Sequence, residues 1–304
     1  MDDSTGVLRG FDEASLDQAS MERLLVRKPF VFAHHLVDHP ALSIENLAAV
    51  IPQLPDDQVF HSNGRLTYAD NLDRAHREHS PEQGLHEALQ RLREVDAYIM
   101  VRKPETHPSF QPLFRMIEAE VMELVRATGQ GADLGDAKLY LFIASPNSVT
   151  PFHIDRYSTV LMQIRGTKEV VVYPPWDQQV VSDEHTELYF SGLDRPPWRP
   201  EAEPLGQRFD FKPGEALHIP FAAGHHVRNG SDDISISLSI IFNSPRSQQL
   251  IQALRFNQQL RVLASKIGLQ PGRVALDASG VALKSSLWTA GRSVARLLRP
   301  MQPG

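Results

Sequence analysis

The sequence predicts an α+β chain with a small antiparallel barrel or jelly roll at its centre. Three observations carry that expectation. Between Lys138 and Phe242, apolar residues recur with period two in short runs broken by Gly and Pro turns. Before and after that stretch the apolar period is helical. The composition, 41% hydrophobic and 22% charged over 304 residues, is that of a globular protein with room for one large domain or two medium ones. The expected division is a mixed helical and strand region at 1–137 packing on the barrel, a barrel core at 138–243 and a C-terminal helical region at 244–304.

Phe30 to Phe32 lie in a predicted strand near 28–33, and a helix is expected at 43–51 with Ser43 as its N-cap. Ser80-Pro81-Glu82 opens a predicted helix to about 94, with Leu85, Ala88, Leu89 and Leu92 as its stripe. Ala97 to Val101 reads as a strand. A helix follows from Phe110 to Ala127, with Phe114, Ile117, Val121, Leu124 and Val125 facing inward. Strands are then expected at Leu139–Ile143 and Ser158–Arg165. Gly166-Thr167 is read as a two-residue hairpin turn leading into a strand at Lys168–Tyr173. Residues 176–207 are rich in proline and loops. Further strands are predicted at Phe209–Phe211, Ala216–Ile219 and Ile234–Phe242, then helices at about 250–267 and 281–298.

Charge and composition exclude several classes. A formal net charge of −6 gives no general basic footprint for nucleic acid. The absence of cysteine removes disulfides, thiolate metal sites and thiol nucleophiles together. The first residues are acidic and lack the apolar core of a signal peptide, and no run of about 18 apolar residues suggests a membrane span. A cytoplasmic protein is the expectation.

Chemistry concentrates in TPFHID at 150–155. On a strand, residues i and i+2 share a side, so His153 and Asp155 can offer an imidazole and a carboxylate to one point. A third ligand would complete the two-histidine, one-carboxylate face of non-haem Fe(II) sites. PGEALHIPFAAGHHVRN at 213–229 offers His218, His225 and His226, of which His225 or His226 begins a strand returning towards the same end. Lys168 shares parity with Val170 and Val172. If these face inward, so does its ammonium, which then needs a partner. No acid of the right parity is adjacent, and an anionic ligand would satisfy it. Ser235, Ser237 and Ser239 alternate with Ile234, Ile236, Leu238 and Ile240, as suits a strand with one polar, pocket-lining face.

These residues together, TPFHID, the lysine fifteen positions after the histidine, and GHHVRN, resemble the JmjC-type, cupin-fold 2-oxoglutarate-dependent oxygenases over about 139–243. Within them the likeness is to the asparaginyl hydroxylase acting on hypoxia-inducible factor. The resemblance implies a double-stranded β-helix (jelly-roll, cupin-like) barrel with a mixed α/β N-terminal part and C-terminal helices. It implies Fe(II) held by His153, Asp155 and His225, with His226 a neighbour. It implies 2-oxoglutarate gripped at its far carboxylate by Lys168, aided by Thr150 and Tyr98, and dioxygen as the oxidant. Two positions depart from the family's pattern, since Thr159 and Ser239 stand where asparagines are usual. The expected activity is hydroxylation of a protein or peptide side chain, with a homodimer through the C-terminal helices.

Blander readings compete. A lone His-x-Asp is common by chance, and a metal-free barrel with satisfied core polar groups is the alternative to the triad. A zinc or nickel cupin would be expected to show a histidine-rich set with a glutamate. A non-catalytic JmjC-like binding module, a small-molecule hydroxylase and a sugar-binding or isomerase cupin are the rival functions. His34, His35 and His39 are read as structural or surface, and His76, His79 and His86 as an exposed polar segment. Trp176 and Trp198 are either core anchors or groove walls. The arginines at 292–299 are read as a solvated face.

Overall fold

The structure is a computed structural model that describes residues 10–12, 15, 27–63, 66–70, 97–129 and 133–297. The helix expected at 80–94 and the histidines at 76, 79 and 86 lie outside the described residues. Eleven strands are described, β1 (Phe30–Ala33), β2 (Val59–Asn63), β3 (Ala97–Arg102), β4 (Gly135–Ala144), β5 (Val149–Ile154), β6 (Ser158–Arg165), β7 (Lys168–Val172), β8 (Gln207–Phe211), β9 (Glu215–Ile219), β10 (Gly224–Asn229) and β11 (Ser235–Asn243). They form a seven-stranded sheet in the order β1-β9-β6-β11-β4-β3-β2 and a four-stranded sheet in the order β5-β10-β7-β8. Every pairing between these strands is antiparallel. Strands from the N-terminal third thus lie at both edges of the larger sheet. The helices are α1 (Ile44–Val50), α2 (Gln111–Ala127), α3 (Asp183–Phe190), α4 (Pro245–Ser265) and α5 (Val281–Leu297).

Period-two alternation divides the larger sheet into two faces. Ile99, Val101, Leu139, Leu141, Ile143, Val160, Met162, Leu238 and Ile240 pack in one cluster with Leu113, Ile117, Val121, Leu124 and Val125 of α2. Each such aliphatic side chain is worth about 1.5–3 kcal/mol when fully buried. The helical stripe is as expected except that Leu113 is fully buried and Phe114 only partly so. The opposite face carries Tyr98, Met100, Arg102, Tyr140, Phe142, Thr159 and Leu161 towards a cavity. Between the two sheets, Leu161, Val170, Val172, Leu217, Ile219 and Val227 form a second apolar layer.

Gly166-Thr167 is not a hairpin turn. β6 pairs with β9 and β11, whereas β7 pairs with β10 and β8, so this link carries the chain from one sheet to the other. The corner is tight. Gly166 has φ +67°, and a Cβ there would run into the Ile234 carbonyl oxygen. The Gly230 N–H donates to Thr167 O at 2.7 Å and ties the next loop to the same corner. Gly166→Ala is expected to cost about 1–3 kcal/mol through the left-handed backbone alone. A lower denaturation midpoint at constant m-value would read it; an unchanged midpoint would refute the tight-corner account.

Ser43 caps α1 by accepting from the Asn46 N–H at 3.2 Å. The His34 ring buries against the Gln163 carbonyl, with Nε2 3.0 Å from that oxygen, while Nδ1 accepts from the Leu36 N–H at 3.1 Å. His39 Nδ1 accepts from the Ala41 N–H at 3.2 Å and caps a short 3-10 turn. Both are structural, as the sequence suggests, and His35 is exposed. α4 and α5 pack on one another, joined by Ser285 Oγ donating to Gln252 Oε1 at 2.6 Å. Leu263, Ile267, Leu283 and Leu287 on and beside them are exposed. Among the described residues no helix is long and apolar enough to cross a membrane.

Candidate metal centre

β5 and β10 lie side by side, with His225 opposite His153. One ligand atom from each of His153, Asp155 and His225 lies within 4.8 Å of the others, and among the described residues this is the one cluster able to hold a metal ion. His153 Nε2 is 3.9 Å from Asp155 Oδ1, and His225 Nε2 is 3.8 Å from Asp155 Oδ2.

Backbone carbonyls set both imidazoles. The Nδ1 of His153 is 2.8 Å from Pro151 O, and that of His225 is 3.1 Å from Ala223 O. A carbonyl can only accept, so each Nδ1 carries the proton and each Nε2 turns a lone pair to the common point. Burial, reinforced by nearby His153, pulls the His225 pKa down to about 4 and keeps the ring neutral, the form that binds metal. Thr159 Oγ1 donates to Asp155 Oδ2 at 3.1 Å and orients the carboxylate. Two imidazoles and one carboxylate on one side of a point leave the other side open, the donor set of a non-haem Fe(II) site.

His226 takes no part in this cluster. Successive side chains alternate across β10, and its ring lies among Tyr68, Tyr173 and Trp198. Tyr173 donates to Glu203 Oε2 at 2.8 Å, so the 3.1 Å contact between His226 Nε2 and Tyr173 Oη has the imidazole donating. His218 packs against Phe30 on β1, away from the cluster.

A cavity of about 370 Å³ runs from the cluster between the two sheets, and Tyr98, Thr150, Thr159, Lys168 and Ser239 all line it with the three ligands. Lys168 is 8% exposed. Its Nζ donates to Ser237 Oγ at 2.5 Å, and Ser237 in turn donates to Gln163 Oε1 at 2.7 Å. Burial pulls the Lys168 pKa down to about 7. The hydroxyls of Tyr98 and Thr150 share a hydrogen bond, and burial raises the tyrosine pKa. Thr150 reaches this face through a β-bulge. Three residue steps along β5, from His153 to Thr150, span what two steps along β10 span, from His225 to Val227.

Sequence reasoning missed several lining residues. Asn229 is buried beside Lys168 in register, and its Oδ1 has no hydrogen-bond partner. Arg102, Tyr140, Arg156, Tyr157, Tyr189 and Arg195 also line the cavity. Strand parity was the available signal, since Arg102 shares a face with Tyr98, and Asn229 with His225. The segment after β7 contributes Tyr189 and Arg195 to this cavity. Trp198 contributes to a smaller one of about 130 Å³ that shares His153. Trp198 also packs on Phe152 at 5.2 Å and is therefore both anchor and wall, while Trp176 packs on Phe221.

Two antiparallel sheets around a His-Asp-His cluster define a cupin-type protein. The model of the family described as Cupin-like domain matches residues 18–248, well over half of the chain, and the chain belongs to that family. Among solved structures the chain is similar to the Escherichia coli ribosomal oxygenase YcfD, at 14% identity over 94% of this chain and 68% of that one, with a TM-score of 0.49. The complex of YcfD with cobalt and 2-oxoglutarate matches at 14% identity and a TM-score of 0.48, over the same shares of the two chains. The complex with cobalt and succinic acid matches at 15% identity and a TM-score of 0.47, again over 94% and 68%.

Proposed function

We propose that this chain is an Fe(II)- and 2-oxoglutarate-dependent dioxygenase that hydroxylates a side chain of a protein or peptide. One observation carries the reading: a His-Asp-His donor set and a buried lysine that, among the described residues, has no carboxylate partner line the same cavity. The donor set fits Fe(II), because both Nε2 lone pairs and an oriented carboxylate converge on one point. When bound, Fe(II) with 2-oxoglutarate and dioxygen supplies C–H oxidation coupled to decarboxylation of the co-substrate to succinate.

The chain's own residues do the rest. His153, Asp155 and His225 would hold the metal. Lys168 would meet the far carboxylate of 2-oxoglutarate, with the Thr150 and Tyr98 hydroxyls donating to it. An incoming carboxylate replaces the solvation that Lys168 lacks, which raises its pKa again. Thr159 and Ser239 offer hydroxyl donors where the family's asparagines stand. The walls of the cavity exclude water around the reacting groups. A homodimer burying the exposed leucines of α4 and α5 is part of this reading.

The test is succinate formation by purified protein with Fe(II), ascorbate and 2-oxoglutarate, with anaerobic co-substrate binding measured beside it. Turnover above an Asp155→Ala control is expected. Binding without turnover in the presence of a peptide panel would favour a non-catalytic module, and absence of both would sink the reading.

A further inference from the structure

The same cavity carries positive charge that the proposed reaction does not use. We infer that the substrate is an acidic protein or peptide segment whose carboxylate docks at the guanidinium groups of Arg102 and Arg156. This rests on the oxygenase reading for the chemistry, but stands on its own observations for the charge.

Arg102 ends β3 on the cavity face, and its guanidinium carbon lies 4.1 Å from the Phe60 ring centroid and 5.9 Å from that of Tyr140. Arg156 lies 4.4 Å over the Tyr189 ring and donates through Nη2 to the Tyr189 carbonyl at 2.6 Å. The Nε of each is buried without a hydrogen-bond partner. Among the described residues neither meets a carboxylate at ion-pair distance. Other arginines of this chain do: Arg165, Arg208 and Arg261 each pair with Asp or Glu at 2.9 Å or less. Asp155 is the one carboxylate among the described residues lining this cavity, and it belongs to the metal cluster.

Aromatic faces and a backbone carbonyl therefore hold these two guanidiniums without neutralising them. A stacked guanidinium is pre-organised and weakly hydrated, and its free edge suits a carboxylate through paired N–H donors. The same field disfavours a lysine or arginine side chain entering the site. The occupant is a chain rather than a small acid because of the second cavity. It shares His153, Tyr189 and Arg195 with the first and continues past Tyr68, Pro197 and Trp198. Flat aromatic and proline surfaces there suit an extended backbone leading away from the metal.

The experiment compares fluorescein-labelled decapeptide pools, alike except for two fixed central positions that are Asp, Asn or Lys. Binding is read by anisotropy on protein holding Mn(II) and 2-oxoglutarate. The Asp pool is expected to bind at least about tenfold tighter than the Lys pool. That preference should vanish in Arg102→Gln/Arg156→Gln and reverse in Arg102→Glu/Arg156→Glu, a gain that misfolding cannot imitate. Equal or tighter binding of the Lys pool by the wild type, or an acidic preference that survives charge reversal, overturns the inference. Displacement of the Asp pool by free aspartate as effectively as by unlabelled peptide would also overturn it, in favour of a small acid. Calorimetry with 2-oxoglutarate on the same samples separates the two ideas. No co-substrate binding sinks the oxygenase reading, whereas co-substrate binding without charge preference sinks this inference alone.

Discussion

Asp155→Ala is expected to lower metal affinity by more than about 100-fold and to reduce succinate formation to background, with the fold intact. Loss of a group merely supporting a ligand costs about 10–100-fold in metal affinity, so losing one of three ligands should exceed that. The fold should survive because the side chain is 28% exposed and its direct hydrogen bond is to Thr159. Equilibrium dialysis with Co(II) or Mn(II) reads the affinity without requiring turnover. The adjacent histidines give the sharper contrast. His225→Ala should behave like Asp155→Ala, because its Nε2 faces the cluster. His226→Ala should keep the metal, because that ring faces Tyr173 and Trp198 on the other side of β10. Full metal affinity in Asp155→Ala, or loss in His226→Ala alone, would overturn the assignment.

Lys168→Met is expected to weaken 2-oxoglutarate binding by at least about 30-fold, since removing one partner of a buried charged pair costs about 2 kcal/mol or more. Without co-substrate, the same variant should be as stable as the wild type or more so. A buried ammonium with no carboxylate partner is costly, and methionine fills the volume without charge. The pH dependence follows from the same burial. The Lys168 pKa falls from 10.5 in a free chain to about 7 in the fold. Between those values the unfolded chain binds a proton that the folded chain lacks, so this group makes stability rise with pH from about 7 to about 10.5. Below about 7 both states are protonated and the full penalty remains. Lys168→Met should lose that rise. Binding of 2-oxoglutarate recharges the lysine, so the wild type at pH 8 should take up a proton on binding. Calorimetry in two buffers of different ionisation enthalpy measures it. No proton uptake, or marked destabilisation of the unliganded variant, would make the lysine structural.

Much of the site was legible because its residues sit on short strands, where parity predicts direction. His153 with Asp155, and Lys168 with Val170 and Val172, follow the period-two rule: the structure turns His153, Asp155 and Lys168 to one cavity and packs the two valines in the apolar layer between the sheets. The same rule would have separated His225 from His226, a choice that the sequence left to family resemblance. Parity failed at Thr150. Three positions from His153, it belongs on the opposite face of a regular strand, and the bulge at Pro151–Phe152 brings it round. Proline in that strand was the local sign, because a proline cannot donate to the ladder and is confined to edges and bulges. β5 is an edge strand of its sheet.

The turn at Gly166-Thr167 shows where local chemistry stops being informative. A glycine between two apolar runs suits a hairpin and suits equally a corner between sheets. Which one forms depends on the partners β6 and β7 find elsewhere, namely β9 and β11 for one, β10 and β8 for the other. The arginines were missed for a similar reason. Arg102 and Arg156 are ordinary surface residues by composition, and their meaning comes from the aromatic rings beneath them and from a cavity whose described lining holds no carboxylate but Asp155.

The sequence by itself determined the class of elements, the inward face of most strands, the His-Asp pair and the lone lysine, because these depend on periodicities within a few residues. Only the tertiary structure decided which strands pair, which of two adjacent histidines meets Asp155, how Thr150 reaches the cavity and where unpaired charge collects. Those outcomes depend on contacts between residues tens of positions apart, and the chain settles them by burying apolar area and satisfying backbone hydrogen bonds as a whole.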